Sequence, residues 1–160
     1  MAVKLSQKRN LSTVRIISKI DDAVDDNGTD WELYNEDPIS NESAIKFKEG
    51  KKPTYFICNF DFTGKEAAST KDAMMKIDEE KNPSVAYGRW AYKVAQIALK
   101  DIDNPSDVPE MDKLKVKKDG GTGYVMDSVM TDLERLGVVS EIFQHYLTLT
   151  QTPDRKNAKN

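Results

Sequence analysis

The chain has 160 residues, a length that suits one compact domain and leaves no room for a second of ordinary size. Hydrophobic residues make up 38% and charged residues 32%, which is polar yet sufficient for a modest core, so a fully disordered chain is excluded. A formal net charge of −3 argues against direct nucleic-acid binding, because neutralising phosphates requires a surplus of Lys and Arg.

The average hides two blocks. Met1 to Ile20 carries Lys4, Lys8, Arg9, Arg15 and Lys19 with no acid, whereas Asp21 to Glu42 carries nine acids with no base. Such runs fold back on each other, stay solvated, or serve as a docking arm for a charged partner. The N-terminus is basic but lacks the apolar stretch of a secretory signal, and no segment is as apolar as a membrane span. Action in a cytoplasm, away from membranes, is the expectation. The lone Cys58 lies inside an apolar run and reads as a buried, inert thiol.

In chain order, Ser12 to Ile20 is rich in β-branched residues, with Val14, Ile16 and Ile20 partly alternating, and predicts a first strand. Residues 21–43 contain Asp-Asn-Gly, Asp-Pro and Ser-Asn-Glu turn chemistry interrupted by Trp31, Leu33 and Tyr34. They predict a mobile acidic loop with one short anchored piece. Ala44 to Lys48 and Thr54 to Phe62 flank Glu49-Gly50-Lys51-Lys52-Pro53, the pattern of a hairpin. In the second of these strands Phe56, Cys58, Phe60 and Phe62 share one wholly apolar face. That face predicts the core side, with burial worth about 1.5–3 kcal/mol for each Phe.

Thr63-Gly64-Lys65-Glu66 matches a capping box and starts a helix expected to run to Glu80. Asn82-Pro83 punctuates it, and a stronger helix follows from Ser84, with Tyr87, Trp90, Ala91, Val94, Ile97 and Ala98 at spacings of three and four. Asp101 to Gly123 reads as a long connection. Within it, Lys113 to Lys118 (KLKVKK) resembles a short edge strand guarded by lysines, or a flap that faces a partner. Helical pattern returns over Met126 to Leu136 and Val138 to Leu149, divided at Gly137, and 151–160 is a polar tail.

Chemistry-bearing residues are sparse. Gly120-Gly121-Thr122-Gly123 ahead of a helix, with Lys117 and Lys118 close by, has the look of a phosphate-binding turn but matches no phosphate-loop or dinucleotide motif, and a flexible turn is expected. His145, the single histidine, stands one helical turn after Glu141 and is read as a surface residue rather than an acid–base group. Asp101, Asp103 and Asp107 lack the glycine and distal glutamate of a calcium loop. No catalytic, cofactor or metal residues are therefore assigned. Trp31 in the acidic segment reads as an exposed anchor, and Trp90 as core.

Three fragments carry a family resemblance. Pro53-Thr-Tyr-Phe-Ile followed by Phe62-Thr-Gly-Lys-Glu66, the helix-to-loop stretch Val94 to Pro105 (VAQIALKDIDNP), and Val138 to Asn157 (VVSEIFQHYLTLTQTPDRKN) resemble small structural and assembly proteins of tailed bacteriophages, tail assembly chaperones among them. The fragments cover about half the chain. The resemblance implies a non-enzymatic protein that works by protein–protein contact in tail or head–tail assembly, as chaperone or virion component. It would act in the host cytoplasm or in the particle, binding other phage structural proteins or itself.

These readings combine into one α+β domain over 1–150: a small N-terminal antiparallel sheet followed by about four helices packed on one face. Candidate partner contacts are Trp31, Tyr34, Lys113, Lys115, Lys117, Phe143 and Tyr146. The alternative is a phage-encoded inhibitor of a host defence protein that uses its acidic segment to mimic nucleic acid or cover a basic cleft. A phosphate-handling enzyme built on Gly120 to Gly123 is a further rival.

Overall fold

A computed structural model describes residues 9–76, 82–105 and 117–151. The fold is α+β: a three-stranded antiparallel sheet and five α-helices among these residues. The elements run β1 (Val14–Ile16), α1 (Trp31–Glu36), a 3₁₀ turn (Glu42–Ala44), β2 (Tyr55–Cys58), α2 (Gly64–Met75), α3 (Pro83–Ala98), β3 (Leu99–Asp103), α4 (Asp127–Arg135) and α5 (Val138–Gln151). Among the described residues no helix is long and apolar enough to cross a membrane.

The sheet order is β1-β2-β3. On one side Val14 faces Cys58 and Ile16 faces Phe56; on the other Phe56 faces Ile102 and Cys58 faces Leu99, with a register irregularity at Ile57/Cys58. Amides beyond the bulge extend the ladders, Asn59 to the Ala98 carbonyl at 2.8 Å and Phe60 to Leu11 at 2.9 Å. Period-two alternation thus places Phe56, Cys58 and Phe60 in the core, each almost wholly buried, with Phe62 packed at its edge. The opposite face is half open, and there the Arg15 guanidinium lies 3.7 Å from the centre of the Tyr55 ring.

Two expectations about the sheet are corrected. The hairpin between Ala44 to Lys48 and Thr54 to Phe62 does not form, because β1 and β3 occupy both edges of β2. Ala44 ends the 3₁₀ turn instead, and residues 46–48 pair with 23–25: the Asp25 amide donates to Lys46, the Lys48 amide to Ala23, and Val24 bridges Phe47. The sheet is also not purely N-terminal. Its third strand, LKDID, follows α3 directly and lies in the stretch expected to be a connection. Only Leu99 and Ile102 of that strand are buried, so its local pattern is weak. Asp101 and Asp103 are poor strand formers, and pairing with β2 decides their conformation.

The helix starts follow local chemistry, with differences in detail. α2 begins after Thr63 as expected, but the Thr63 side chain makes no capping bond. Glu66 reaches instead to Lys100 Nζ at 3.2 Å, tying α2 to β3. Asn82-Pro83 opens α3: the Asn82 side chain accepts from the amides of Ser84 and Val85, and Pro83 takes the first helical position. Asn82→Ala is expected to lower stability by about 1 kcal/mol, seen as a lower urea midpoint at unchanged slope. Gly137 has φ +78°, a left-handed conformation that closes α4 and lets α5 turn back at once. α4 and α5 then bring Val129, Met130, Leu133, Val138 and Ile142 onto the apolar face of the sheet.

Candidate interaction surface

The acidic segment is hydrogen-bonded along its length. Asp21 accepts from the amides of Ala23 at 2.9 Å and Thr54 at 2.7 Å. Asp25 accepts from Asn27, and Asp30 caps α1 by accepting from Leu33. Asp37 takes both the Ser40 amide and the Arg9 guanidinium, the latter at 2.6 and 2.8 Å. Burial alone raises the Asp37 carboxyl, but the hydrogen bonds from Arg9 and Ser40 and the Arg9 charge outweigh it and hold the group below the usual carboxylate value. Arg9 of the basic block thus meets Asp37 of the acidic one. Glu32 and Glu36 remain exposed on α1, flanking Leu33, which is 42% exposed.

Of the candidate contacts, Tyr34 and Phe143 are core residues and offer no surface to a partner. Tyr34 is fully buried in a small cluster with Ile17, Val24 and Ile45, and its hydroxyl accepts from the Ile17 amide at 3.0 Å. Burial pushes its hydroxyl up to about 12. Tyr34→Phe would leave that buried amide without its partner and is expected to cost about 1–3 kcal/mol, measured by thermal or urea unfolding. Phe143 packs among Trp90, Ala91 and Val94 of α3. Trp31 is half-buried, edge-on to Tyr34, with its indole N–H directed to Asp26 at 3.3 Å, so it braces α1 instead of standing free. Tyr146 is half-buried, stacked on Phe62 at 5.5 Å. Lys117 is exposed; Lys113 and Lys115 lie outside the described residues.

The groups most suited to chemistry are withdrawn from solvent. His145 is 4% exposed, edge-on to Tyr34, and burial drives its imidazole down to about 4, so it is neutral at physiological pH; the expectation of a surface histidine is corrected. Glu141 does not serve it as a partner in the way the sequence spacing suggested. Its two oxygens accept from the Ser18 hydroxyl at 2.5 Å and the Lys19 amide at 3.0 Å, pinning the end of β1 to α5. Cys58 is wholly buried, which pushes its thiol up and away from the reactive thiolate.

The glycine turn is internally engaged. Asp119 accepts from the Gly121 amide through its side chain and from the Gly123 amide through its carbonyl, and Lys118 bridges Val125. The first turn of α4 carries Asp127, which accepts from Tyr92 and Gln96, so an acid already occupies the place a phosphate would take.

Sequence reasoning missed a groove of about 340 Å³ between α2 and α3, lined by Ser69, Asp72, Ala73, Lys76, Ala86, Arg89 and Lys93. Two small residues, Ala73 and Ala86, leave the space, and among the described lining residues three cations stand against one acid. Exposed Met74 and Met75 end α2, and exposed Val85 and Tyr87 stand in the first turns of α3. The signal available in the sequence was the i, i+4 pair Arg89 and Lys93 on an otherwise apolar helix. Comparison with known protein families, with characterised proteins and with solved structures finds no match.

Proposed function

We propose that this chain is a non-enzymatic binding protein that contacts other structural proteins during assembly of a tailed bacteriophage, at the tail or the head–tail junction. The observation that carries the binding reading is the α2–α3 surface. There, Ala73 and Ala86 share a groove with Lys76, Arg89 and Lys93, and the helices that form it expose Met74, Met75 and Val85 elsewhere on their surfaces, apolar contact area on the same elements as a charge that selects partners. The fragment resemblance at Pro53 to Glu66, Val94 to Pro105 and Val138 to Asn157 supplies the particle class. Burial of the single histidine and the single cysteine speaks for binding over catalysis. The inhibitor reading draws less support, since Asp21, Asp25, Asp30 and Asp37 are engaged with backbone amides or Arg9 rather than arrayed for a basic cleft.

Crosslinking in infected cells during assembly, followed by mass spectrometry of what is joined to the chain, tests this. Particle structural proteins crosslinked through α2 and α3 are the expected result. Crosslinks to a host enzyme alone would overturn the assembly role in favour of the inhibitor.

A further inference from the structure

We propose that the α2–α3 groove receives α1 of a second copy, so that the chain associates head to tail with itself. The inference deepens the assembly reading and rests on it. The two surfaces match in chemistry. α1 exposes Glu32 and Glu36, four residues apart and so on one helix face, with Leu33 between them. The groove wall carries Arg89 and Lys93 at the same four-residue spacing on α3, with Lys76 opposite on α2 and Ala73 and Ala86 as an apolar floor. Asp72 is the single acid among its described lining residues, and Lys76 follows it by one helical turn. Two carboxylates at one spacing thus meet two cations at the same spacing, with Leu33 at the side of that carboxylate face and Ala73 and Ala86 as its apolar counterpart.

α1 is built to be presented. Its inner side is anchored by buried Tyr34, its start by the Asp30 cap and its end by the Arg9–Asp37 ion pair, so ordering it costs little on association. Donor and acceptor are different patches, so repetition of the contact gives a heterologous interface, a ring where the rotation closes and a filament where it does not. Exposed charge pairs are screened by salt, which makes the contact sensitive to ionic strength.

Light scattering of the purified full chain over a range of concentration and salt is the test, with two charge-reversed variants, Glu32→Lys/Glu36→Lys and Arg89→Glu/Lys93→Glu. The expected wild-type mass exceeds the 18.1 kDa of one chain at low salt and falls towards it as salt rises. Each variant alone is monomeric, because like charges then face each other. An equimolar mixture of the two associates again, as does a single chain carrying all four substitutions, which also shows that the variants fold. A wild-type protein that is monomeric at every concentration, or a mass unmoved by either reversal, overturns the proposal. Neither result alters the crosslinks to particle proteins that test the assembly reading.

Discussion

Phe143→Ala is expected to lower the unfolding free energy by about 3–5 kcal/mol, a fifth or more of the total for a domain whose stability is on the order of 5–15 kcal/mol. The ring is 1% exposed. Its centre lies 4.8 Å from Trp90 and 5.2 Å from Tyr87, both edge-on, and 6.2 Å from Tyr146 in a stacked arrangement. Truncation therefore removes the transfer energy of the ring and three aromatic contacts, and leaves a cavity where α3 and α5 meet. Phe143→Leu, which keeps much of the volume, should cost clearly less. Urea unfolding of both variants decides the role of the residue. A Phe143→Ala protein as stable as wild type would return Phe143 to the surface and to partner contact.

Stability is expected to fall as the pH drops from about 6.5 to about 4, by about 3 kcal/mol at about 1.4 kcal/mol per pH unit between the two values for His145. In the unfolded chain the imidazole takes up a proton near its ordinary value of 6.5, whereas in the fold burial defers protonation to about 4. Between those values the unfolded state binds more protons, so stability is fully present above 6.5 and is lost progressively as the pH falls towards 4. Tyr34 is the ring that faces His145, and Glu141, one turn away on the same helix, is engaged with Ser18 and Lys19. Asp37 does not confuse the measurement. Its value is lowered from 3.8, so its contribution is lost only at more acid pH. Chemical denaturation at several pH values, on wild type and His145→Phe, checks this. The slope should vanish in the variant, and an identical slope in both proteins would remove the histidine from the account.

The interface inferred between α1 and the α2–α3 groove places the acidic segment in a different light from its composition. Nine acids in twenty-two residues suggest a solvated or mimetic tail. Most of the aspartates prove to be local structure, since a carboxylate two or three residues before a backbone amide closes a turn or caps a helix. The two glutamates of α1, with longer side chains and no capping duty, stay outward.

Several elements were legible in the sequence because their causes are local. The alternation of Phe56, Cys58, Phe60 and Phe62 predicts a core-facing strand, and a strand whose alternate side chains are all apolar has one face to bury. The spacing of Trp90, Ala91, Val94, Ile97 and Ala98 predicts α3, and Gly137 marks the α4–α5 junction, because a helical stripe and a left-handed glycine each act within a few residues. The α+β class follows from these signals together. Tertiary structure decided the rest. β3 exists because β2 had an edge to fill, and β1 in turn displaced the expected hairpin; both depend on residues forty or more positions apart in the chain. Glu66 left its capping role for Lys100, and Glu141 left His145 for Ser18 and Lys19, since a carboxylate goes to whichever donor packing brings near. Tyr34, Phe143 and His145 became interior, and Lys76, Arg89 and Lys93 came to share one groove, because burial and convergence belong to how helices pack and not to any residue's own spacing.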